Sequence, residues 1–162
     1  MNSSRRSFLR QSAILGALGA LHAAGFLNFP QASARDWNTE AFEADSLDDA
    51  INRLTGETVR DGAGIIRFVA PPIAENGAVV PVGVRVEDSE EIVSSIAILC
   101  EKNPRPLAAF YELHPDAVPF IRTRIKMRET APVVALVRTE SGIYRAEHIV
   151  KVTKGGCGGE RE

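Results

Sequence analysis

The chain is poor in the residues that most catalytic and metal sites require. Its 162 residues include two cysteines, three histidines and one tryptophan. Two cysteines cannot form the dense disulfide framework of a small secreted scaffold. Acidic residues outnumber basic ones, 21 against 19, so the electrostatic footprint of a nucleic-acid-binding domain is missing as well. The apolar share of 44% excludes a disordered or collagen-like chain and favours one globular domain.

Sequence motifs of the common reaction classes are also missing. G-x-S-x-G, the P-loop, H-E-x-x-H, C-x-x-C and C-x-x-C-H do not occur in the chain. His114 precedes Pro115 in a turn, and His148 lies on an alternating segment, so we interpret both histidines as structural residues. We therefore expect neither a metal site nor a covalently attached haem.

The first thirty-four residues are typical of a cleavable export signal. Three arginines and no acidic residue precede an apolar run over residues 13–29, which an A-x-A cleavage site follows at residues 32–34. The stretch SRRSFLR at residues 4–10 is typical of twin-arginine export. We predict a signal peptide over residues 1–34, twin-arginine export and a periplasmic protein without membrane attachment after cleavage. The alternative is a membrane anchor, although the run is shorter than the roughly 20 apolar residues of a typical span.

One short helix is predicted close to the start of the mature chain. Ser46 is a good N-cap residue, and the acidic residues that follow it favour the first turn of a helix. Leu47, Ile51 and Leu54 recur on one helical face, and Gly56 is a plausible C-terminal stop. This pattern predicts a helix that packs on a larger structure.

Beyond this helix the hydrophobic period changes to two, which is typical of half-buried strands. The clearest alternation runs through Val80, Val82, Val84 and Val86. Seven strands are predicted, over residues 64–69, 80–86, 92–100, 107–113, 121–127, 133–137 and 148–153. Strands of this length and spacing favour a mainly β, immunoglobulin-like antiparallel β-sandwich, which we predict over residues 35–154.

Two strand faces are candidates for contact with a partner. Pro81 cannot donate to a sheet, so we predict that its strand lies at a sheet edge or carries a bulge. Pro81 and Gly83 allow a close approach of backbone on that face, which makes it a candidate partner surface. A second face is basic and consists of Arg122, Arg124, Lys126 and Arg128. We interpret this basic face as solvated or partner-contacting, with an anion site as the alternative.

The two cysteines occupy contrasting positions. Cys100 ends an apolar strand, where cysteine usually packs as a small hydrophobic residue. Cys157 is flanked by four glycines, Gly155, Gly156, Gly158 and Gly159, in a segment that cannot form a core. Residues 155–162 are therefore predicted to be a flexible tail that presents a thiol without side-chain bulk on either side. An unused exposed thiol would be a liability in an oxidising compartment.

The tail and the export signal together resemble the SoxY family of sulfur carriers. The resemblance rests first on VKVTKGGCGG at residues 150–159. Further matching segments are ENGAVVPV at residues 75–82, NPRP at residues 103–106 and RTRI at residues 122–125. Residues 160–162, with the sequence ERE, extend beyond the usual end of the family.

The resemblance implies a function without catalytic machinery in this chain. It implies an immunoglobulin-like fold, a heterodimer with SoxZ and sulfur intermediates carried covalently on Cys157, with no other cofactor. A haem-containing SoxXA enzyme would join thiosulfate to the thiol, SoxB would release sulfate, and a sulfane dehydrogenase would oxidise the remaining sulfur. The four glycines beside Cys157 would then serve as a swinging arm that enters the sites of these enzymes.

Two other functions are compatible with the same tail. One is an exported interaction module that uses Cys157 for a stable intermolecular disulfide. The other is a thiol enzyme with Cys157 as its nucleophile, but a nucleophile needs an adjacent base and a shaped site, and a glycine-rich tail supplies neither. We therefore predict a carrier and not an enzyme.

Overall fold

The computed structural model describes residues 38–87 and 91–154. The predicted signal peptide and the predicted glycine tail with Cys157 lie outside these ranges. The described chain contains two helices, α1 (Thr39–Phe42) and α2 (Leu47–Thr55). Nine strands follow, β1 (Val59–Asp61), β2 (Ile66–Val69), β3 (Ile73–Ala74), β4 (Val80–Val86), β5 (Val93–Cys100), β6 (Leu107–Glu112), β7 (Phe120–Ile125), β8 (Ala131–Thr139) and β9 (Ile143–Val152).

Helix α2 has the boundaries that its sequence predicts. The Ser46 side chain accepts a 3.2 Å hydrogen bond from the backbone nitrogen of Asp49, and this bond satisfies a free donor of the first turn. Gly56 ends the helix at a φ of 61°, a left-handed conformation that glycine adopts without a steric penalty. Ile51 is buried on the inner face. The four-residue helix α1 was not predicted, because it is too short for a periodic pattern.

The strands form two sheets. The larger sheet has the order β1-β9-β8-β5-β6, and β3 also pairs with β9. The smaller sheet has the order β2-β4-β7 and is antiparallel throughout. The predicted antiparallel arrangement also holds for β5, β6, β8 and β9, whereas the short strands β1 and β3 pair with β9 in parallel.

Apolar side chains fill the space between the two sheets. The four alternating valines of β4 face this core, and each is at most 7% exposed. A second apolar cluster lies on the other face of the larger sheet, where α1 and α2 cover β5 and β8. The two central strands are therefore buried on both faces. This two-sheet arrangement confirms the predicted mainly β sandwich and its short N-terminal helix.

Strand β4 neither lies at a sheet edge nor shifts register against β2 or β7, so the prediction of an edge or a bulge at Pro81 was wrong. It is the central strand of the smaller sheet, with β2 and β7 on either side. Strand β2 pairs only with residues from Gly83 onward, and its last pair is Val69 with Gly83. Pro81 therefore lies beyond the end of β2, where a missing backbone donor leaves no ladder bond unmade on that side.

The face of β4 that carries Pro81 and Gly83 is only partly open. Pro81 is exposed, but Gly83 is buried within the chain. A Cβ at Gly83 would lie 3.2 Å from the Cβ of Val69 and 3.5 Å from the ring of Phe120. Close backbone approach at Gly83 therefore serves packing inside this sheet, and Pro81 alone remains available to a partner.

Candidate functional site

The last described residues of the chain are hydrogen-bonded into the sandwich. The carbonyl oxygen of Lys154 accepts a 2.7 Å hydrogen bond from the backbone nitrogen of Gly77. The carbonyl oxygen of Gly77 in turn accepts a 2.7 Å bond from the backbone nitrogen of Met127. Gly77 and Met127 are both buried, so these bonds are shielded from water. They connect the end of the described chain to the end of β7.

The residues just before Lys154 are fixed by side chains as well as backbone. Thr153 donates from its backbone nitrogen to the carbonyl oxygen of Ala74 at 3.0 Å and from its hydroxyl to that of Glu75 at 2.9 Å. The backbone nitrogen of Val152 donates to the hydroxyl oxygen of Thr130 at 3.0 Å. Residues 152–154, the last three of the described range, are thus held by two other segments.

Asn103 joins a further loop to this arrangement. Its side-chain amide donates a 2.7 Å hydrogen bond to the carbonyl oxygen of Lys126, and its side-chain oxygen accepts a 3.0 Å bond from the backbone nitrogen of Arg128. An asparagine is suited to this position because one side chain both donates and accepts. We call residues 74–77, 103, 126–130 and 152–154 the tail base.

The turn before β4 positions Gly77 for its two bonds. The side-chain oxygen of Asn76 accepts a 2.9 Å hydrogen bond from the backbone nitrogen of Ala78, which forms an Asx turn. The carbonyl oxygen of Asn76 accepts a second bond, from the backbone nitrogen of Val79, at 3.4 Å. The turn therefore follows from the side chain of Asn76.

The tail base gives Cys157 a limited range. Cys157 follows Lys154 by three residues, so a fully extended chain separates their Cα atoms by at most about 10–11 Å. Four exposed cationic residues belong to the tail base or adjoin it, namely Lys126, Arg128, Lys151 and Lys154. Cationic side chains favour the thiolate form of a nearby cysteine. The predictions for Cys157 and its four glycines concern residues outside the described ranges and stay predictions.

The predicted basic face is only partly on a strand, because β7 ends at Ile125 and leaves Lys126 and Arg128 beyond it. Arg122 and Arg124 are exposed on the outer side of the smaller sheet and line, with Pro81 and Thr123, a depression of about 540 Å³. Nearby, the guanidinium of Arg85 lies 4.3 Å from the ring centre of Phe120. Within the described chain neither Arg122 nor Arg124 forms an ion pair. We call these two side chains the arginine strip.

Cys100 is buried, as its sequence context predicts. Its exposed fraction is 0%, and it belongs to the core between the sheets. Its backbone nitrogen donates a 2.8 Å bond to the carbonyl oxygen of Pro106. The thiol is therefore inaccessible to a partner enzyme in the folded protein.

The two histidines outside the signal region lie in different surroundings. His114 is exposed in a turn, with its Nδ1 atom 3.4 Å from a carboxylate oxygen of Asp116. The ring of His148 stacks on Phe68 at a centroid distance of 5.9 Å, and its Nε2 atom is buried without a hydrogen-bond partner. Over residues 38–87 and 91–154, no group of three or more potential ligands is arranged to hold a metal ion. No described helix is long and apolar enough to cross a membrane.

A polar cluster lies at the other end of β9, at the turn between β8 and β9. The hydroxyl of Ser141 donates a 2.8 Å hydrogen bond to the Glu91 carboxylate and lies 3.0 Å from the hydroxyl of Tyr144. Hydrogen bonds from Thr139 and Ser141 hold the pKa of Glu91 below its usual value. Hydrogen bonds with Ser141 and Arg60 lower the pKa of Tyr144.

This polar cluster is distant from the tail base. Nine residues of β9, residues 143–151, separate the turn from the tail base. They span roughly 30 Å at the usual rise per residue of a strand. The cluster therefore stabilises the turn between β8 and β9 and has no contact with the tail base.

Sequence reasoning did not identify the tail base. Its members are spread over about 80 residues of the chain, and hydrogen-bonding between such distant segments leaves no periodic pattern. The signal that was present is the resemblance, since Glu75, Asn76, Gly77 and Asn103 all belong to segments that match the family. The structure brings these segments together at the point where the tail begins.

Comparisons with known proteins identify the family. The model of the family "Sulfur oxidation protein SoxY" matches residues 51–157, which is more than half of the chain. The chain belongs to the SoxY family. The solved structure of the sulfur carrier protein SoxY from Chlorobium limicola f thiosulfatophilum is 36% identical. That match has a TM-score of 0.59 and covers 67% of this chain and 96% of that chain.

Other similarities add nothing to the SoxY assignment. The endo-beta-1,4-mannanase from Thermotoga petrophila is 13% identical with a TM-score of 0.41, covering 66% of this chain and 23% of that chain. An engineered protein is 16% identical with a TM-score of 0.38, covering 54% and 20%. No curated protein matches the chain.

Proposed function

We propose that this SoxY chain is a periplasmic carrier that holds thiosulfate-derived sulfur on Cys157 and presents it to the enzymes of the Sox system. The observation that carries the proposal is the tail base. Hydrogen bonds to Lys154 and Thr153 fix the chain up to three residues before the thiol. A fixed base followed by glycines suits a short arm whose origin is rigid and whose end moves.

Loading of the carrier is an oxidation. The Cys157 thiolate and the terminal sulfur of thiosulfate form an S–S bond, and the two electrons released pass to the haem of a SoxXA enzyme. The product is a cysteine S-thiosulfonate with one negative charge. The four exposed cations Lys126, Arg128, Lys151 and Lys154 outnumber the two exposed carboxylates of the tail base, Glu75 and Glu129. This net positive charge favours both the starting thiolate and the anionic product.

Unloading begins with a hydrolysis. Water attacks the sulfone sulfur in the SoxB site, the bond between the two outer sulfur atoms breaks, and sulfate leaves with two protons released. The electron pair of that bond stays on the carrier as a persulfide. Where a sulfane dehydrogenase is present, that enzyme oxidises the persulfide sulfur and takes up the electrons. The carrier chain supplies the thiol, its position and its charge, and the enzymes supply the catalysis and their own cofactors.

The proposed stable partner is SoxZ. Light scattering after size exclusion should show a heterodimer when both chains are mixed at micromolar concentration. A SoxY chain that stays separate from SoxZ under these conditions contradicts the pairing. Such a result does not bear on the carrier chemistry of Cys157, which the next experiment tests separately.

The carrier proposal is tested by Cys157→Ser in a reconstituted thiosulfate-oxidising system. We expect turnover to be abolished while thermal melting and SoxZ binding stay at the wild-type level, because the tail contributes no core packing. Cys100→Ala is the matched control, since it removes the other thiol and leaves turnover intact. Normal turnover by Cys157→Ser contradicts the proposal. A doubled mass of the wild-type protein that is lost on reduction favours the disulfide module instead.

A further inference from the structure

The tail base contains the one Asn-Gly sequence of the chain, Asn76-Gly77. In such a sequence the backbone nitrogen of the glycine is able to attack the side-chain amide carbon of the asparagine, because glycine has no Cβ that obstructs the approach. The two reacting groups are neighbours in the chain. The local conformation and the contacts of the glycine nitrogen therefore decide whether they react.

The turn at Asn76 keeps its side-chain amide close to the backbone. The Oδ1 atom accepts a 2.9 Å hydrogen bond from the backbone nitrogen of Ala78, so the side chain folds back over the peptide bond that joins it to Gly77. Asn76 is exposed, and water reaches its amide carbon. The electrophilic group is thus accessible and near its nucleophile.

The nucleophilic nitrogen, by contrast, is held away from this reaction. The Gly77 N–H donates its 2.7 Å hydrogen bond to the carbonyl oxygen of Lys154, and Gly77 is buried. Attack requires this nitrogen to lose its proton to a base and to turn towards the amide carbon of Asn76. The hydrogen bond and the burial of Gly77 oppose both changes, so the reaction needs the bond to Lys154 to open.

We propose that Asn76 is a deamidation site that the tail base keeps closed, and that opening of the tail base starts the reaction. The Gly77 nitrogen loses its proton and bonds to the Cγ atom of Asn76, the bond from Cγ to Nδ2 breaks, and ammonia leaves. Water then opens the cyclic imide to aspartate or isoaspartate. One water molecule is consumed, one ammonia is released and no electrons are transferred. The proposal goes beyond the carrier function and does not depend on it.

The products do not restore the tail base. Both of them place a carboxylate at position 76, and isoaspartate also lengthens the main chain by one carbon atom before Gly77. This extra atom shifts Gly77 relative to Lys154 and Met127, the two residues to which its backbone is bonded. A brief opening is thereby converted into a lasting loss of the fixed origin of the tail.

The experiment follows the conversion of Asn76 by mass spectrometry and chromatography of its peptide, in the full mature chain at one pH and temperature. The folded protein is compared with the same chain in urea. We expect the unfolded chain to react at least about tenfold faster, because buried, hydrogen-bonded backbone is open for only a small fraction of the time.

Two variants loosen the tail base without changing the reacting residues. Thr153→Val removes the hydroxyl that donates a 2.9 Å bond to the carbonyl oxygen of Glu75. Thr130→Val removes the acceptor of the backbone nitrogen of Val152. Both bonds hold the same end of the chain, so each variant should raise the rate in the folded protein by about 2- to 12-fold, the effect of one hydrogen bond.

The matched control is Thr55→Val, which removes a hydroxyl bond of the same length, 2.9 Å, to the carbonyl oxygen of Ile51 in α2. We expect it to keep the wild-type rate in the folded protein. Equal acceleration by Thr55→Val and Thr153→Val overturns the proposal, because the reaction then follows unfolding of the whole chain. Equal rates in folded and unfolded wild type overturn it too, as does a folded rate that neither tail-base variant raises. None of these outcomes bears on whether Cys157 carries sulfur.

Discussion

The backbone nitrogen of Gly77 donates a 2.7 Å hydrogen bond to the carbonyl oxygen of Lys154, three residues before the proposed carrier cysteine. Gly77 is buried and also accepts a bond from Met127, so the tail starts from a point connected to both sheets. The hydrogen bond between Gly77 and Lys154 thus marks the boundary between the fixed tail base and the glycine-rich segment that follows it. Changes at the origin and changes in the tail should therefore have different effects.

Replacing Asn103 by alanine should lower stability without removing the carrier thiol. The substitution removes two hydrogen bonds, to the Lys126 carbonyl and from the Arg128 nitrogen. We expect a loss of about 1–3 kcal/mol in the free energy of unfolding, since a typical hydrogen bond contributes about 0.5–1.5 kcal/mol. Urea denaturation measures this loss. Asn52→Ala, an exposed asparagine of α2, is the control, and an equal effect of both changes contradicts a special role for the tail base.

Replacing the four tail glycines by alanine should separate access from thiol chemistry. Each alanine restricts the backbone and adds a methyl group beside Cys157. Alkylation by a small thiol reagent should change by no more than a few-fold. Turnover by partner enzymes should fall much further, because a misplacement of about 1 Å can cost about 100-fold in rate. Equal losses in the two assays would show that the glycines tune reactivity, and no loss in either would show that they are only a spacer.

Cys100→Ala should destabilise the fold and leave sulfur transfer unchanged. The thiol is fully buried in the core between the sheets, so its removal leaves a small cavity. We expect a loss of about 1–2 kcal/mol, near the cost of deleting one or two buried methyl-sized groups. Thermal melting and turnover of the same preparation measure both effects. Sulfur adducts found on Cys100 in the folded wild-type protein would falsify this assignment.

Glu91→Gln should weaken the dependence of stability on pH in the acid range. Hydroxyl groups of Thr139 and Ser141 favour the ionised carboxylate in the folded protein, so the folded pKa lies below the unfolded one. This contribution is complete above the unfolded pKa of about 4.3 and is lost as the pH falls through the folded pKa. The wild type should therefore lose its stability advantage over the variant on acidification. An advantage that is unchanged or larger at low pH contradicts the interpretation.

Local sequence signals predicted part of this fold and missed the rest for physical reasons. Ser46 and Gly56 end α2 through bonds and dihedral angles within a few residues, so its boundaries could be predicted. The alternating valines of β4 revealed which face is buried, but periodicity does not reveal which strands lie on either side. Pro81 was therefore placed at an edge. Strands β1 and β3 have three and two residues, and their strand state comes from pairing with β9.

In the candidate site, too, some features could be predicted from the sequence and others arise only from the tertiary fold. Cys157 stands out in the sequence because glycines surround it, and its chemistry could be proposed from that context alone. The anchoring of Lys154 by Gly77 joins residues 77 positions apart, which only the tertiary fold brings together.

The most direct test of the central claim is the mass of the C-terminal peptide after exposure to thiosulfate and the loading enzyme. The account predicts that the peptide containing Cys157 gains the mass of one thiosulfate, and that SoxB then converts this adduct to a persulfide. Cys100→Ala should show the same adducts, and Cys157→Ser should show none. An unmodified C-terminal peptide in a sample that oxidises thiosulfate, or an adduct that persists in Cys157→Ser, would contradict the account.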